Sequence, residues 1–336
     1  MFLLMRNIGL PANRKKVLSV IYCSFLILIL GLRHPTMGVD LRGYLSSFHV
    51  LSTYSLIDVF SLSSFLHYEK GFVLLNVIVG NICCNEQLFL FVCAFLSIAP
   101  IGYVLYKQSN SVELSYIFYL GLTSFLMCFS GLRQGIAIGI CFFASLFVVK
   151  RKIIPFLLLV LLGSTFHTSS MLFLIAYPLY NLNLSKNGRI ASIVLLPIAF
   201  VLKGLLFSSL CSIVGLYKSS VEDNGAWTLF AVFSLIYVFC CIFKSEDKLY
   251  NFYLNLFWVS CFIQAMGGVN LLVSRVGYYF ALFLPLLLPR TIQSIKNDFA
   301  KLNISLIIMV CFILFGLYNI YSTYWAKAFP YHFFWE

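Results

Sequence analysis

Apolar stretches, most of them long enough to cross a lipid bilayer, follow one another along almost the whole chain, from Val17 to Tyr321. A crossing takes about 20 apolar residues, so the chain leaves room for about ten to twelve of them. Hydrophobic residues make up 61% of the chain and charged residues only 10%. These proportions exclude a soluble enzyme, a secreted domain and a disordered scaffold, and no stretch is polar enough for a large soluble catalytic domain.

The basic residues predict the side of the membrane that each loop occupies. The cluster Arg14–Lys15–Lys16 precedes the first apolar run, and no small-residue cleavage site follows, so we interpret that run as an uncleaved helix with a cytoplasmic amino end. Most of the 23 Lys and Arg residues then fall in cytoplasmic loops. The predicted fold is an all-α polytopic integral membrane protein with about eleven transmembrane helices and a periplasmic carboxyl terminus. The predicted helices span about 17–32, 87–106, 113–130, 134–149, 153–166, 169–182, 190–207, 227–243, 249–266, 276–289 and 302–321.

No internal repeat or low-complexity linker divides the chain, so we expect a single membrane domain over residues 1–336. The first periplasmic loop covers residues 33–86. Its apolar segment Gly71–Cys84 is too short to span a bilayer, which favours an interfacial or re-entrant helix. A second larger periplasmic loop covers residues 208–226. Membrane lipid is expected around the helices.

Several kinds of site find no support in the sequence. The 11 cysteines fall mostly inside apolar runs and lack metal-ligand spacing, so we interpret them as small hydrophobic residues. The chain has no HExxH, P-loop, GxGxxG, DxD or GxSxG motif, and we therefore expect neither a metal nor a cofactor. The formal net charge of +12 is explained by the cytoplasmic loops, so no nucleic acid partner is expected.

Two arginines stand where predicted helices begin at the outer face. Arg133 comes directly before the helix over 134–149, and Arg275 directly before the helix over 276–289. A helix start offers free N–H donors and about half a positive charge, and the arginine fork binds phosphate oxygens in pairs. This pattern favours an anion site, most naturally for a phosphate. Anchoring at the lipid headgroups is the alternative, but arginine is disfavoured on the outer face and Arg133 lies in a continuous apolar stretch.

A histidine stands at a third outward helix start. His167 is followed by Thr168, Ser169 and Ser170, where the helix over 169–182 begins. The positive end of a helix disfavours a second charge on the imidazole and keeps it able to accept a proton near its reference pKa of ~6.5. We interpret His167 as a candidate general base, with a polar helix cap as the alternative.

The first periplasmic loop carries further charged candidates. Asp40 lies between Arg33 and Arg42, in a segment whose glycines permit tight turns, and this favours an ordered polar loop. Glu69 leads into the short apolar segment. A plain solvated loop is the alternative interpretation.

Four segments, in this order, resemble the Wzy/EpsG-type polysaccharide polymerase family, which includes O-antigen polymerases. Residues 33–44 are similar to the family's R…GxDxxxY loop, and residues 69–76 to its E-x-G-aromatic-xx-L-N segment. Residues 131–137 with 167–169 are similar to its LRQ-x-x-A stretch and downstream FH-x-S. Residues 274–280 are similar to its R-x-x-x-YF segment.

The resemblance implies a polymerase at the periplasmic face of the bacterial inner membrane that joins oligosaccharide repeat units carried on undecaprenyl diphosphate. One glycan is transferred as a block to the non-reducing end of another repeat unit, in the synthesis of O-antigen lipopolysaccharide or a related surface polysaccharide. The sugar–diphosphate bond is already activated, so no cofactor is required. The resemblance further implies a chain-length regulator and a flippase of the same pathway as partners, and a GT-C-like bundle as one form of the fold.

The residues and the resemblance together lead to a hypothesis for each role. The expected diphosphate-binding residues are Arg133, Gln134 and Arg275, with Arg33 or Arg42 assisting. The expected general base is His167. Glu69 and Asp40 are the alternative candidates for that catalytic role.

Other classes of membrane protein remain as alternatives. An O-antigen ligase would use similar groups with a different acceptor. A lipid-linked glycan flippase or transporter would need charged groups along the whole pore and usually repeated halves, whereas the distinctive charges here sit at one face. A membrane acyltransferase would not call for several outward arginines, and a purely structural subunit leaves them unexplained.

Overall fold

The structure is a computed structural model, and it describes residues 14–59, 68–214, 227–245, 247 and 249–336. The described residues form helices joined by short connections, and the β contact among them is one isolated bridge between Arg33 and Phe333. The predicted all-α class is therefore confirmed. The α-helices are α1 (Arg14–Gly31), α2 (Leu41–Leu51), α3 (Lys70–Ile82), α4 (Glu86–Gln108), α5 (Val112–Gly121), α6 (Thr123–Ser130), α7 (Leu132–Val149), α8 (Ile153–Ser164), α9 (Ala176–Leu179), α10 (Lys186–Val201), α11 (Lys203–Val214), α12 (Thr228–Ile242), α13 (Tyr250–Ala265), α14 (Leu271–Ala281), α15 (Leu284–Gln293) and α16 (Asp298–Ser322), and 3-10 helices cover Leu56–Asp58 and Thr168–Ile175.

Several of these helices have the length and composition of membrane spans. Helices α4, α7 and α16 each qualify alone, and the bent pairs α5–α6, α10–α11 and α14–α15 bring the number to six among the described residues. Shorter apolar helices lie between them. The chain is thus a multi-pass membrane protein, while the expected count of about eleven crossings and the orientation of the termini stay predictions.

Three helices that the sequence predicts as continuous are broken in the structure, with bends of 62°, 84° and 47°. In the first break, Gly121 packs closely against Gly316, and the side-chain amide of Asn319 donates to the Gly121 carbonyl at 3.1 Å. This bond satisfies a carbonyl that the break leaves without a helical partner. In the third break, Pro285 occupies the first turn of α15, where its missing N–H is tolerated. The expectation of single helices is therefore wrong for 113–130, 190–207 and 276–289.

The first predicted loop, residues 33–86, is largely helical. The helix expected at Gly71–Cys84 is confirmed as α3, and its interfacial position stays a prediction. Helices α2 and α3 pack together through the rings of Tyr44 and Phe72, whose centroids lie 5.3 Å apart. Phe48 of α2 also stacks on Phe89 of α4, at 4.5 Å between centroids. In the second predicted loop, 208–226, α11 continues to Val214, and residues 215–226 lie outside the described residues.

Helix α7 is buried over most of its length and packs between α4 and α8. Gly139 lies against the backbone carbonyl of Ser97 in α4, where a side chain would not fit. Arg133 lies at the amino end of α7, and Lys150 and Arg151 follow its carboxyl end. The two ends of this central helix therefore define the two ends of the bundle.

The carboxyl-terminal segment folds back onto the end of α1. The His34 N–H donates to the His332 carbonyl, and the Phe334 N–H to the Leu32 carbonyl, both at 2.9 Å. Earlier in the segment, the Trp325 carbonyl accepts from the Val39 N–H at 3.2 Å. This return brings Trp325 to the end of the bundle where α7 begins.

Candidate active site

A cavity of about 460 Å³ opens at the amino end of α7. Two arginines face it, and we call it the arginine cavity. Its lining includes Asp40, Tyr44, Tyr68, Arg133, Gln134, His167 and Arg275. Residues far apart in the sequence and predicted as site residues are therefore brought together here, from the α1–α2 connection, α7, the 3-10 helix start and α14.

Arg133 is held in a fixed orientation. Its Nη1 donates to Glu69 in an ion pair, and its Nε donates to the Tyr44 hydroxyl at 3.3 Å. The Tyr68 ring lies 4.8 Å from the guanidinium, in cation–π geometry. One side-chain nitrogen, Nη2, has no hydrogen-bond partner within the described chain and remains able to bind a ligand.

Arg275 differs from Arg133 in having no anionic partner. Within the residues that the structure describes, no carboxylate pairs with it and its guanidinium donates no hydrogen bond; its neighbour is the Trp325 ring, 5.6 Å away. A half-buried cation without a counterion is a site for an anionic ligand. The unpaired guanidinium is the most direct chemical signal in this cavity.

The position of Arg275 in its helix differs from the prediction. Asn270 caps α14 by accepting from the Leu272 N–H at 2.8 Å, so Arg275 lies inside the helix and not before it. The start of α14 is fixed by Gln264, which exchanges two hydrogen bonds with Ser274. Gln134, predicted to bind substrate, donates to the Arg275 carbonyl at 3.1 Å and so ties α7 to α14.

His167 caps the helix that follows it, but this helix is a 3-10 helix from Thr168 and not an α-helix over 169–182. Its Nδ1 accepts from the Ser169 N–H at 3.3 Å and lies 2.6 Å from the Ser169 hydroxyl. That hydroxyl also contacts the Tyr279 hydroxyl at 3.0 Å. A backbone N–H can only donate, so Nδ1 must be unprotonated, and a neutral imidazole then carries its proton on Nε2.

The surroundings of His167 keep it neutral. Burial lowers its pKa below the ordinary value, and the charges of Arg133 and Arg275 lower the pKa further, while the Glu69 carboxylate opposes them. At neutral pH the imidazole therefore offers the cavity an Nε2–H donor. His167 can thus cap the 3-10 helix through Nδ1 while its side chain lines the cavity.

Asp40 reaches the cavity because the chain turns sharply before it. Gly38 has φ +102° and lies against the Phe129 carbonyl, a position without space for a side chain. Behind this turn, one Asp40 oxygen, Oδ2, accepts from the Ser130 hydroxyl at 3.1 Å. The other oxygen has no partner within the described part of the chain, so Asp40 offers the cavity a free acceptor.

Glu69 lies just behind the cavity wall. Besides Arg133, its carboxylate accepts from the Thr168 N–H at 3.2 Å. Both oxygens are thus engaged, and the side chain joins α7 to the segment that holds His167. This arrangement gives Glu69 a positioning role for Arg133 and His167.

Besides Glu69, two predicted residues lie outside the cavity. Arg33 is 1% exposed; its Nη1 donates to the Leu30 carbonyl at 2.6 Å, and its guanidinium lies 5.5 Å from the Phe129 ring. The pairing of its backbone with Phe333 fixes it there, and burial lowers its pKa to about 10. Arg42 is exposed on α2 and does not line the cavity. The structure thus brings neither arginine to Arg133 and Arg275.

Sequence reasoning assigned no role to the aromatic residues of the site. Tyr44 and Tyr68 hold Arg133, Trp325 covers Arg275, and Tyr279 holds Ser169 against His167. Apart from Trp325, these residues lie in or beside the segments that resemble the polymerase family. Because the chain has 35 Phe and 20 Tyr, only their closeness to these segments could have distinguished the site residues from other aromatic residues.

The arrangement can bind an anion and handle a proton. Two guanidinium groups and the amino end of α7 converge on one cavity, where helix N–H groups add positive potential. His167, with its imidazole N–H, and Asp40, with one free carboxylate oxygen, line the same cavity. Among the described residues no group of three His, Cys, Asp or Glu side chains is placed to hold a metal ion.

The fold and site define a multi-pass helical membrane protein with a cavity lined by two arginines at one end of its bundle. The sequence profile of the EpsG family matches residues 16–333. The chain therefore belongs to the EpsG family, a family of Wzy-like polysaccharide polymerases, and the suspected resemblance is confirmed. No curated protein and no solved structure matches the chain, so the GT-C-like bundle stays a prediction.

Proposed function

We propose that this protein is a polymerase that joins oligosaccharide repeat units carried on undecaprenyl diphosphate, at the periplasmic face of the bacterial inner membrane. Membership of the EpsG family supports the class of activity. The unpaired guanidinium of Arg275, facing the same cavity as Arg133, is the observation that carries the proposal. The product is O-antigen or a related surface polysaccharide, and a chain-length regulator and a flippase act in the same pathway.

The reaction is a glycosyl transfer without a metal. The acceptor sugar hydroxyl attacks the anomeric carbon of the donor glycan, a new glycosidic C–O bond forms, and the bond from that carbon to the diphosphate oxygen breaks. Undecaprenyl diphosphate leaves with the electron pair, and the hydroxyl proton passes to a base. The enzyme must therefore stabilise negative charge on the leaving group and accept one proton.

Arg275 and Arg133 provide the charge stabilisation. Arg275 has its whole guanidinium available, whereas Arg133 is oriented by Glu69 and Tyr44 and offers Nη2. A pre-oriented cation stabilises developing charge without reorganising during the reaction. Gln134 contributes by fixing the backbone of Arg275 rather than by touching the diphosphate.

The proton step involves Asp40 and His167. Asp40 has a free oxygen at the cavity wall and takes the role of base. His167 was the first candidate for that role, but its Nδ1 is occupied by Ser169, so its Nε2–H is suited to donate to a leaving-group oxygen. For Nε2 to act as a base, the neutral ring would have to carry its proton on Nδ1 instead. Nδ1 could then no longer accept from the Ser169 N–H.

The orientation of the protein follows from its two ends. Arg133 lies at the start of α7, and Lys150 and Arg151 follow its end. The positive-inside rule assigns the end with basic loops to the cytoplasm, which leaves the arginine cavity at the periplasmic face. Thiol labelling of cysteines introduced at Thr168 and Ser185 tests this, with access from outside expected for Thr168 alone.

Deletion of the gene followed by gel analysis of surface glycan tests the function. We expect long ladders to collapse to core with a single repeat unit, and the wild-type gene to restore the ladder. The Arg133→Lys variant keeps the charge but loses the fork, and should fail to restore it. Loss of all capped core would instead identify a ligase or a flippase, and an unchanged ladder would contradict the proposal.

A further inference from the structure

A second, smaller cavity lies beside the arginine cavity and shares Arg275 with it. It has a volume of about 210 Å³, and its walls include Thr228 of α12, and Asn319 and Thr323 at the end of α16. We call it the vestibule. Arg275 thus separates two spaces and is accessible from both, so a ligand bound to its guanidinium can extend in either direction.

An apolar groove of about 470 Å³ lies between α12 and α16, the two helices that also line the vestibule, with Leu288 of α15 in its wall. Leu229 of the vestibule and Val232 of the groove are three residues apart on α12, and Asn319 and Phe315 are four residues apart on α16. Residues at these spacings share one face of a helix. The same two helix faces therefore line both spaces. The walls of this α12–α16 groove include Val232, Leu235, Phe239, Leu288, Ile307 and Phe315.

The combined length of the vestibule and groove restricts what can fill them. From Ile304 to Thr323 along α16, the rise of 1.5 Å per residue gives about 28 Å. The hydrocarbon core of a bilayer is about 30 Å thick, so one acyl chain of a phospholipid fills only about half that distance. A single apolar chain that occupies the whole path must be considerably longer than an acyl chain.

We propose that the α12–α16 groove binds the isoprenoid chain of the undecaprenyl-diphosphate-linked substrate, with its diphosphate at Arg275 and its glycan in the arginine cavity. The inference rests on the proposed function for the identity of this lipid. The unpaired cation at one end fits an anionic head, the mixed polar and apolar lining of the vestibule fits the junction, and the apolar walls of the groove fit the chain. The substrate thus enters sideways from the membrane, between α12 and α16.

Photolabelling tests where the chain lies. The probe is undecaprenyl diphosphate carrying a diazirine along its chain, in vesicles of phosphatidylethanolamine and phosphatidylglycerol with the full-length protein. We expect labels on the groove faces of α12 and α16, displaced by unlabelled undecaprenyl diphosphate and reduced in Arg275→Ala. Displacement by phosphatidylglycerol with equal potency, labels all around α16, or cross-links between two copies of the chain would each overturn the inference.

A matched pair of substitutions provides the control. Ile307 and Ile313 are both exposed on α16, at 61% and 46%, and only Ile307 lines the groove. Ile307→Trp should narrow the groove and lower labelling about tenfold, a change of about 1.4 kcal/mol in binding, while Ile313→Trp should leave it unchanged. Equal effects of the two variants would contradict the assignment.

Labelling requires binding but no turnover, so the two proposals fail differently. Polymer made in cells without labelling of the groove would remove the groove assignment and leave the polymerase. Labelling of the groove in a protein whose deletion leaves the glycan ladder unchanged would support the lipid site and remove the polymerase.

Discussion

Arg275 and Arg290 lie on the two halves of one bent helix pair, α14 and α15, and their surroundings are opposite. Arg290 uses every nitrogen: Nε donates to Asp247 at 2.9 Å, Nη1 to the Leu286 carbonyl at 2.8 Å and Nη2 to the Gln108 carbonyl at 2.5 Å. Arg275 donates to no residue in the described chain and faces two cavities.

This difference separates an arginine that stabilises the fold from one that awaits a ligand. Each nitrogen of the buried Arg290 side chain is hydrogen-bonded within the protein, which offsets the cost of burying its charge. Arg275 obtains no such compensation from the residues that the structure describes. An anionic ligand would supply it, which is the expectation for a diphosphate-binding residue.

The largest expected effect is at the satisfied arginine. Asp247→Ala removes the carboxylate partner of Arg290, whose side chain is 4% exposed, and leaves a buried cation unpaired. Breaking such a pair costs about 3–5 kcal/mol. We expect a large fall in the amount of folded protein in membranes, measured by detergent-extracted yield and thermal unfolding. A variant with unchanged yield and midpoint would show that Arg290 is not structural.

The next effect concerns catalysis without loss of fold. Arg275→Ala removes no hydrogen bond, so the yield should stay at the wild-type level. The rate of polymerisation, measured with purified protein and lipid-linked repeat units, should fall about 10²–10³-fold, as for the loss of a transition-state donor. The control is Arg42→Ala, which removes an exposed arginine outside the cavity and should leave the rate unchanged.

Substitutions of His167 distinguish a donor from a base. Glutamine places an amide N–H near the position of Nε2, whereas asparagine does not reach it. We expect His167→Gln to retain activity within about tenfold, and His167→Asn to lose about 10²–10³-fold, if donation from Nε2 is the role. Equal losses in both variants would instead identify His167 as the base.

The pH dependence of folding stability tests the burial of His167. Burial lowers the pKa of folded His167, so the unfolded chain, with a pKa near 6.5, takes up this proton first as the pH falls. The folded state is therefore disfavoured progressively as the pH drops from about 6.5 through the folded pKa. The thermal midpoint of wild type should therefore fall over this acid range. In His167→Gln, which lacks this titrating group, the fall should begin at lower pH, as thermal unfolding measured across the range will reveal.

The smallest effect is expected at the aromatic wall. Tyr68→Leu removes the ring beside Arg133 and should weaken activity a few-fold, because a partly exposed cation–π contact contributes about 0.5–1 kcal/mol. Tyr68→Phe keeps the ring and should stay near wild type. Similar activity in both variants would mean that the ring does not orient Arg133.

Much of the architecture was predictable because hydrophobic runs indicate the helices and charged residues indicate where they end. The all-α class, the short helix after Glu69 and the start of α7 beside Arg133 all follow from local patterns. Helix breaks were missed at Gly121 because the compensating amide, Asn319, is distant in sequence. Hydropathy averages over such a break and does not detect it.

The sequence predicted several residues that line the candidate site, but not their positions in the helices or their partners. Charged residues beside helix starts identified Arg133, His167 and Arg275, yet Arg275 lies inside α14 because Asn270 provides the cap. Arg33 was expected at the cavity, but the return of the carboxyl-terminal segment buries it elsewhere. Whether an arginine is paired or free depends on contacts with residues distant in the chain, and a single sequence does not reveal these contacts.

Equilibrium binding of undecaprenyl diphosphate to the purified protein tests the central claim most directly. Native mass spectrometry in detergent micelles can compare wild type, Arg275→Ala and Arg42→Ala at matched lipid concentrations. We predict that Arg275→Ala loses binding at least about tenfold, or about 1.4 kcal/mol, and that Arg42→Ala binds as wild type does. Undiminished binding by Arg275→Ala would contradict the claim that the free guanidinium holds the diphosphate.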